Sequence, residues 1–149
     1  MSTVPRGGSW SRSFASRLRK RLAKLLDHES PVGTVDIALY RDDLDEKGAV
    51  PVVGPTDVRF PVDGKTIVLV DDVLYTGRTV RAALDELVDF GRPRRVWLLV
   101  LVDRGGRELP IAPDFVGEKL SVLPQEDVQV RLTEGGAAED QVIVTRRAP

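Results

Sequence analysis

Two adjacent aspartates and a threonine-containing turn make up the stretch of this sequence that is best suited to chemistry. Asp71 and Asp72 directly follow an apolar run, and the turn that starts at Thr76 opens a predicted helix. The first N–H groups of a helix have no backbone partner and carry a partial positive charge, so they bind phosphate well. Gly77 lets the backbone approach an anion closely, and the threonine hydroxyls add donors. The pattern predicts a phosphate site with two carboxylates beside it.

The two carboxylates indicate what kind of molecule carries the phosphate. They would repel the phosphate if both faced it, so we expect them to face hydroxyl groups or a metal ion further along the ligand. This interpretation predicts a phosphorylated sugar. One other interpretation remains open, an ordinary loop between a strand and a helix. A receiver domain, whose aspartate accepts a phosphoryl group, is disfavoured because no second acidic pair lies on an early predicted strand. A Walker A loop is excluded, because no Gly-Lys-Ser or Gly-Lys-Thr follows the aspartates.

The elements around this stretch predict an α/β domain with a parallel sheet. Ile67–Val70 is a continuous apolar run, typical of a strand buried on both faces, and we expect it to end at the aspartates. Thr79–Phe90 has apolar residues at helical spacing, and Gly91 with Pro93 predicts where that helix stops. Val96–Val102 is a second buried strand. Together they predict a right-handed βαβ unit, and ligands of open parallel sheets bind at the carboxyl ends of strands.

The rest of the chain predicts one domain over residues 14–149, preceded by an irregular basic arm over residues 1–13. Apolar periodicity predicts an amphipathic helix, then a strand, a long loop with a short strand, a hood segment rich in glycine and proline, and a C-terminal hairpin. The helix covers residues 14–27, the strand 35–41, and the loop 42–64, with its short strand at 50–53. The hood covers about 103–125, and the hairpin strands cover 128–132 and 142–144.

Composition limits the class of protein and of metal site. With 149 residues, of which 42% are hydrophobic and 30% charged, the chain suits one globular domain. It has no cysteine, which excludes disulfides and thiolate metal sites, and His28 is its only histidine. Any metal is therefore expected to have oxygen ligands, which favours Mg²⁺ over Zn²⁺. No apolar run approaches the ~18 residues of a membrane span, so we expect a cytoplasmic protein.

Positive charge is concentrated at the start of the chain. Residues 1–26 contain seven basic side chains and no acidic one, although the formal net charge of the whole chain is -1. Such a segment predicts an arm that binds a polyanion, or a targeting segment such as a transit peptide. The basic residues are Arg6, Arg12, Arg17, Arg19, Lys20, Arg21 and Lys24.

Three segments resemble a known family. Val70–Thr79 resembles the motif with which type I phosphoribosyltransferases bind PRPP (5-phosphoribosyl-1-pyrophosphate). Asp36–Leu44 and Leu101–Ile111 resemble the PyrR family of bifunctional pyrimidine operon regulators, and the resemblance runs from about residue 14 to 144. It implies a type I phosphoribosyltransferase-like parallel sheet with flanking helices, a hood and a C-terminal hairpin. The implied site residues of the motif are Asp71, Asp72, Thr76, Gly77, Arg78 and Thr79.

The resemblance also implies a reaction, a cofactor and partners. The reaction is uracil plus PRPP giving UMP plus pyrophosphate, with Mg²⁺. Asp71 and Asp72 would hold the ribose hydroxyls and stabilise positive charge at the ribose, and the backbone amides of residues 76–79 would bind the 5-phosphate. The implied partners are PRPP, uracil, UMP or UTP, the leader RNA of a pyrimidine operon, and further copies of the chain in a homodimer or larger homo-oligomer.

Residues on both sides of the motif have implied roles too. Tyr40 and Arg41 would stand at the root of a flexible loop, residues 42–60, that closes over PRPP and excludes water. The base site and hood would begin at Val102, Asp103 and Arg104, with Asp103 as an outer-sphere partner of the metal. The alternatives are a packed strand residue for Tyr40, a solvated surface pair for Arg41, and an ion-paired turn for Asp103 and Arg104.

The start of the chain departs from the family pattern. Where the family has a strand followed by a Thr-Arg-Gly turn that binds pyrophosphate, this chain has only Thr3–Gly8, with Arg6 as the candidate for that turn. We expect no strand before Arg6, and hence an unpaired sheet edge and impaired handling of pyrophosphate. The alternative functions are a catalytically impaired RNA-binding regulator, and a degenerate phosphoribosyltransferase that arises from an altered gene start.

The basic face of the first predicted helix is the candidate RNA-binding surface. Its side chains would contact phosphates electrostatically. A solvated helix face is the alternative for the same residues. They are Arg17, Arg19, Lys20, Arg21 and Lys24.

Overall fold

A four-stranded parallel sheet forms the centre of the molecule. The computed structural model describes residues 2–5, 9–37 and 56–146. The strands of the sheet lie side by side in the order in which they occur along the chain. They are β1 (Ser2–Pro5), β2 (Thr66–Leu74), β3 (Arg95–Asp103) and β4 (Phe115–Lys119). This arrangement confirms the predicted parallel sheet.

Two helices cover the two faces of this sheet, α1 (Ser9–Leu26) and α2 (Arg78–Asp89). Because side chains alternate between the faces of a strand, Ile67 and Leu69 of β2 pack with buried residues of α2 in one apolar cluster. Val68 and Val70 pack on the opposite face, against α1. Because both faces of β2 are buried and β3 is covered at least in part on both, the two strands are continuous apolar runs in the sequence.

The predicted βαβ unit is present, with one correction to its first strand. β2, α2 and β3 begin within one residue of their predicted starts. The prediction that the aspartates end β2 is wrong, because the strand continues through them to Leu74, which lies opposite Asp103 of β3. Hydrogen bonds to β3 keep this segment extended, although aspartate by itself is unfavourable in strands.

A C-terminal hairpin packs against the end of β3. Its strands, which pair antiparallel, are β5 (Glu126–Arg131) and β6 (Gln141–Arg146), and a short 3-10 helix (Thr133–Gly135) lies between them. Val128 and Val130 of β5 join Val102 of β3 in a second apolar cluster. The predicted hairpin is therefore confirmed. Within the described part of the chain, no helix has the length and apolar character needed to cross a membrane.

The irregular arm predicted over residues 1–13 is wrong where the structure describes it. Ser2–Pro5 forms β1, parallel to β2, and α1 begins at Ser9. The edge of β2 offers N–H and C=O groups that a further strand can pair, so sheet formation overrides the polar composition of this segment. The expectation that no strand precedes Arg6, with an open edge on that side of β2, is wrong for the same reason.

Two further predictions change. The hood contains β4, which continues the sheet beside β3 and which the sequence did not predict. Where the predicted strand 35–41 begins, the structure has isolated bridges, one of which links Thr34 to Asp57. Residues 38–41 and the short strand predicted at 50–53 lie outside the described residues.

Candidate active site

The turn between β2 and α2 lies at the carboxyl edge of the sheet, as predicted for the phosphate site. Its two threonines, Thr76 and Thr79, are buried. The Thr76 hydroxyl accepts a hydrogen bond from the backbone N–H of Arg78 at 3.2 Å. The turn is thereby fixed against the first residues of α2, whose N–H groups have no partner within the helix.

Gly77 is required by the conformation of this turn. Its φ of +89° lies in the left-handed region that favours glycine. A Cβ at this position would also lie 3.1 Å from the Cβ of Ile111 in the hood. Any other residue would therefore strain the backbone and press against the hood.

The two aspartates occupy different environments. Both lie within β2, where Asp71 pairs with Val100 of β3, but they differ in burial. Asp71 is 1% exposed, and its Oδ1 accepts the N–H of Asp72 at 2.9 Å. Asp72 is half-buried, and its Oδ1 accepts the N–H of Val73 at 3.0 Å. Asp72 is thus the carboxylate that a ligand can reach more directly.

The hood wraps around the turn through several contacts. The N–H groups of Glu108 and Leu109 both donate to the carbonyl of Thr76, at 3.0 and 3.1 Å. The carboxylate of Glu108 also pairs with Arg78 at 2.7 Å. The turn and the hood therefore form one structural unit, although they are distant in sequence.

Arg104 is built into the interior of the hood. It is 5% exposed, and its guanidinium lies 4.0 Å from the ring centre of Tyr75, a favourable cation–π distance. Its Nη2 donates to the carbonyl of Glu126 at 2.7 Å, which attaches the hood to the hairpin. Val102 is fully buried in the second apolar cluster. The side chains of these two predicted base-site residues are therefore engaged in packing, and Tyr75 was not singled out by the sequence.

Asp103 and Arg107 form an ion pair beside the turn. Asp103 Oδ2 lies 2.7 Å from Arg107, and its Oδ1 accepts the N–H of Gly105 at 3.0 Å. Burial alone would raise the pKa of Asp103, but the hydrogen bonds from Arg107 and Gly105 and the nearby positive charges outweigh burial and lower it. The sequence indicated an ion-paired turn here as an alternative, but the partner is Arg107, which sequence reasoning missed.

Comparison with known proteins identifies the family. The family model of the phosphoribosyl transferase domain matches residues 3–133. The bifunctional protein PyrR of Listeria monocytogenes is 53% identical over 136 residues, which are 89% of this chain and 74% of that protein. The bifunctional protein PyrR of Thermus thermophilus is 54% identical over 134 residues, which are 90% of this chain and 74% of that protein.

The chain belongs to the PyrR family of phosphoribosyltransferases. A solved structure with the same fold is the hypoxanthine phosphoribosyltransferase of Trypanosoma cruzi, with a TM-score of 0.68 at 18% identity, over 99% of this chain and 77% of that one. These findings confirm the predicted family and fold. They also confirm the predicted function class, an enzyme that transfers phosphoribosyl groups and belongs to a bifunctional family.

Two of the basic residues that were predicted to bind RNA in this PyrR-family chain are held by carboxylates. Arg17 of α1 pairs with Asp140 and Glu134, and Arg19 pairs with Glu29. Hydrogen bonds to Asp140 and Glu134 raise the pKa of Arg17, and Arg17 in turn lowers the pKa of both carboxyl groups. The other three predicted residues are exposed and form no ion pair within the described ranges: Lys20, Arg21 and Lys24.

The donors at the turn fit a magnesium ion, the metal that phosphoribosyltransferases generally use with PRPP. Asp71 and Asp72 could supply carboxylate oxygens, since Mg²⁺ often combines one or two carboxylates with substrate phosphates. Among the described residues there is no group of three or more His, Cys, Asp or Glu that would hold a metal on its own. Both oxygens of Asp103 are hydrogen-bonded, which suits an outer-sphere contact at most.

Three predicted site residues lie outside the described residues. They are Arg6, the candidate pyrophosphate ligand, and Tyr40 and Arg41, the candidates at the root of the flexible loop.

Proposed function

We propose that this chain transfers the phosphoribosyl group of PRPP to uracil, which gives UMP and pyrophosphate, and that it binds the leader RNA of a pyrimidine operon in response to UMP or UTP. One observation supports the enzymatic part above all: the turn of residues 76–79 starts α2 at the carboxyl edge of the sheet, beside Asp72 and against the hood. N–H groups at such a helix start bind a 5-phosphate, and the neighbouring carboxylate binds ribose hydroxyls.

The proposed reaction breaks the bond between C1 of ribose and the pyrophosphate oxygen, and forms a bond between C1 and N1 of uracil. Pyrophosphate leaves with the bonding electron pair, and the N1 proton of uracil passes to solvent. Positive charge develops at C1, where the carboxylates of Asp72 and of the buried Asp71 stabilise it. The same two carboxylates would hold Mg²⁺ together with the substrate, and the ion would supply positive charge for the leaving pyrophosphate.

The position of β1 supports a proposed place for pyrophosphate. Pro5, the last residue of β1, lies opposite Val70, the residue before Asp71. β1 therefore ends at the carboxyl edge of the sheet, next to the aspartates. Arg6, which follows Pro5 in sequence, is the proposed pyrophosphate ligand, and its fixed positive charge suits that anion.

The substitution Asp72→Asn tests the enzymatic proposal. We expect the purified protein with Mg²⁺, PRPP and radiolabelled uracil to form UMP, and the variant to lose about 100-fold or more in kcat/KM, because a neutral amide stabilises the positive transition state poorly. Asp89→Asn, an exposed aspartate at the end of α2, is the matched control and should retain full activity. Unchanged turnover in Asp72→Asn would refute the assignment of this site.

The exposed face of α1 supports the RNA-binding part. Lys20, Arg21 and Lys24 project from a helix that contains no acidic residue. Next to Lys20 lies a groove of about 260 Å³ between α1 and Glu134, which is also lined by Arg12. Exposed basic side chains of this kind bind phosphates through charge and do not distinguish the bases of the RNA. Recognition of the bases would therefore come from other residues.

A further inference from the structure

We infer that Arg107 is a positioning residue that sets the direction of the N–H groups in the phosphate-binding turn. The inference rests on the proposed function, because it concerns the same anion site. Arg107 lies in the hood, is mostly buried, and was not indicated by the sequence.

Arg107 connects three segments that meet beside the turn. Its Nη1 donates to the carbonyl of Tyr75 at 2.9 Å, directly after β2, and its Nε donates to the carbonyl of Ile111 at 3.0 Å in the hood. Its Nη2 lies 2.7 Å from Asp103 Oδ2 at the end of β3. Arginine presents five donors in one rigid plane, so a single side chain can hold all three acceptors.

These bonds determine how two successive peptide groups are turned. In a trans peptide the C=O of one residue and the N–H of the next point in opposite directions, and the described chain contains no cis peptide. Because Arg107 binds the Tyr75 carbonyl, the N–H of Thr76 points away from the hood. Because Glu108 and Leu109 bind the Thr76 carbonyl, the N–H of Gly77 also points away from the hood.

Two consecutive N–H groups directed to one side form a concave site for an anion. Without Arg107, the peptide between Tyr75 and Thr76 loses the charged side chain that holds its carbonyl, and it can rotate. The affinity for the 5-phosphate would then fall, because the N–H groups must be reoriented before the phosphate binds.

The test compares affinities for ribose 5-phosphate, which carries the 5-phosphate but no pyrophosphate. Isothermal titration of Arg107→Gln should show affinity about 10-fold or more below that of the wild type. Arg107→Lys keeps the charge but cannot reach three acceptors in one plane. Its affinity for ribose 5-phosphate should therefore lie between those of the wild type and Arg107→Gln. The matched control is Arg81→Gln, an exposed arginine of α2 that pairs with Asp85 at 3.5 Å, and it should bind as the wild type does.

A steady-state measurement separates positioning from general stabilisation. Arg107→Gln should raise KM for PRPP more than it lowers kcat at saturating PRPP, whereas a residue that only stabilises the fold changes the melting temperature and leaves the affinity of the folded fraction unchanged. If Arg107→Gln does not fold, Arg107→Lys takes its place. Wild-type affinity for ribose 5-phosphate in the folded variant overturns the inference. A wild-type protein that neither binds PRPP nor forms UMP overturns the proposed function instead.

Discussion

At Gly77 and Gly106 the hood is in close contact with the segment between β2 and α2. A Cβ at Gly106 would lie 2.5 Å from the ring of Tyr75, and one at Gly77 would lie 3.1 Å from Ile111. Both glycines have positive φ. The hood can therefore cover the turn only because side chains are missing at these two positions.

The substitution Gly77→Ala should damage both stability and ligand binding. We expect a loss of about 1–3 kcal/mol in the free energy of unfolding, because alanine is strained at positive φ and presses on the hood. PRPP affinity should fall as well. Gly136→Ala is the matched control, since Gly136 has φ +90° but open space around it. It should lose about 1 kcal/mol and bind PRPP normally. Urea unfolding measures the stability of both variants, and titration with PRPP measures their affinity. Equal PRPP affinity in the two variants would contradict the role proposed for Gly77.

Local sequence was sufficient for the residues of the turn and insufficient for those that support it. The two aspartates and residues 76–79 lie in one short stretch, so the strand, the start of the helix and the candidate site can all be predicted from local sequence. The supporting contacts join residues about thirty positions apart. Arg107 donates to the carbonyl of Tyr75, and Arg104 lies over the Tyr75 ring. Neither hydrophobic periodicity nor a sequence motif predicts such a contact, because it depends on how the hood packs on the turn.

At the scale of elements, the two buried strands were predictable and the two edge strands were not. β2 is buried on both faces and β3 on one, with its other face half-buried, so their apolar runs are distinct in the sequence. β4 is mostly exposed, and β1 has only four residues. Both form because each completes the hydrogen bonds of a neighbouring edge, which is a property of the sheet and not of their own side chains.

Removing the charges of α1 should weaken RNA binding in a salt-dependent way. For the triple variant Lys20→Gln, Arg21→Gln and Lys24→Gln we expect weaker binding of a pyrimidine-operon leader RNA. The plot of log affinity against log salt should also become flatter, by roughly 0.7–0.9 for each phosphate that the helix no longer neutralises. The control variant carries glutamine at three exposed arginines of other segments: Arg59, Arg81 and Arg131. Filter binding between low and moderate salt measures both slopes. The same slope in both variants would argue against α1 as the RNA surface.

For the whole molecule, ion pairs with lowered carboxyl pKa values join parts that are distant in sequence. Asp103 anchors the hood, and Glu134 with Asp140 connects the region of the hairpin to α1 through Arg17. A carboxyl group whose pKa is lower in the folded than in the unfolded protein stabilises the fold above its unfolded pKa. That contribution is lost as the pH falls from the ordinary values of 3.8 for aspartate and 4.5 for glutamate through the lowered ones.

The pH dependence of stability should therefore be shallower when Arg17 is removed. In Arg17→Gln, the pKa values of Glu134 and Asp140 rise toward their ordinary values, although hydrogen bonds from Thr133 still lower that of Asp140. The fall in unfolding free energy between about pH 5 and pH 2 should therefore be smaller than in the wild type. Urea unfolding at several pH values measures it, with Arg81→Gln as the control. An identical fall in Arg17→Gln and wild type would show that these ion pairs do not couple protonation to folding.

The pairing of β1 with β2 affects the order in which the newly synthesised chain folds. Ser2 lies opposite Ile67, so β1 leaves the ribosome long before its partner strand has been synthesised. Closing so long a loop costs entropy before any hydrogen bond offsets it, so this pairing is expected to be a late event. Until then one border of β2 is open to strands of neighbouring nascent chains, and in this interval aggregation competes most strongly with folding.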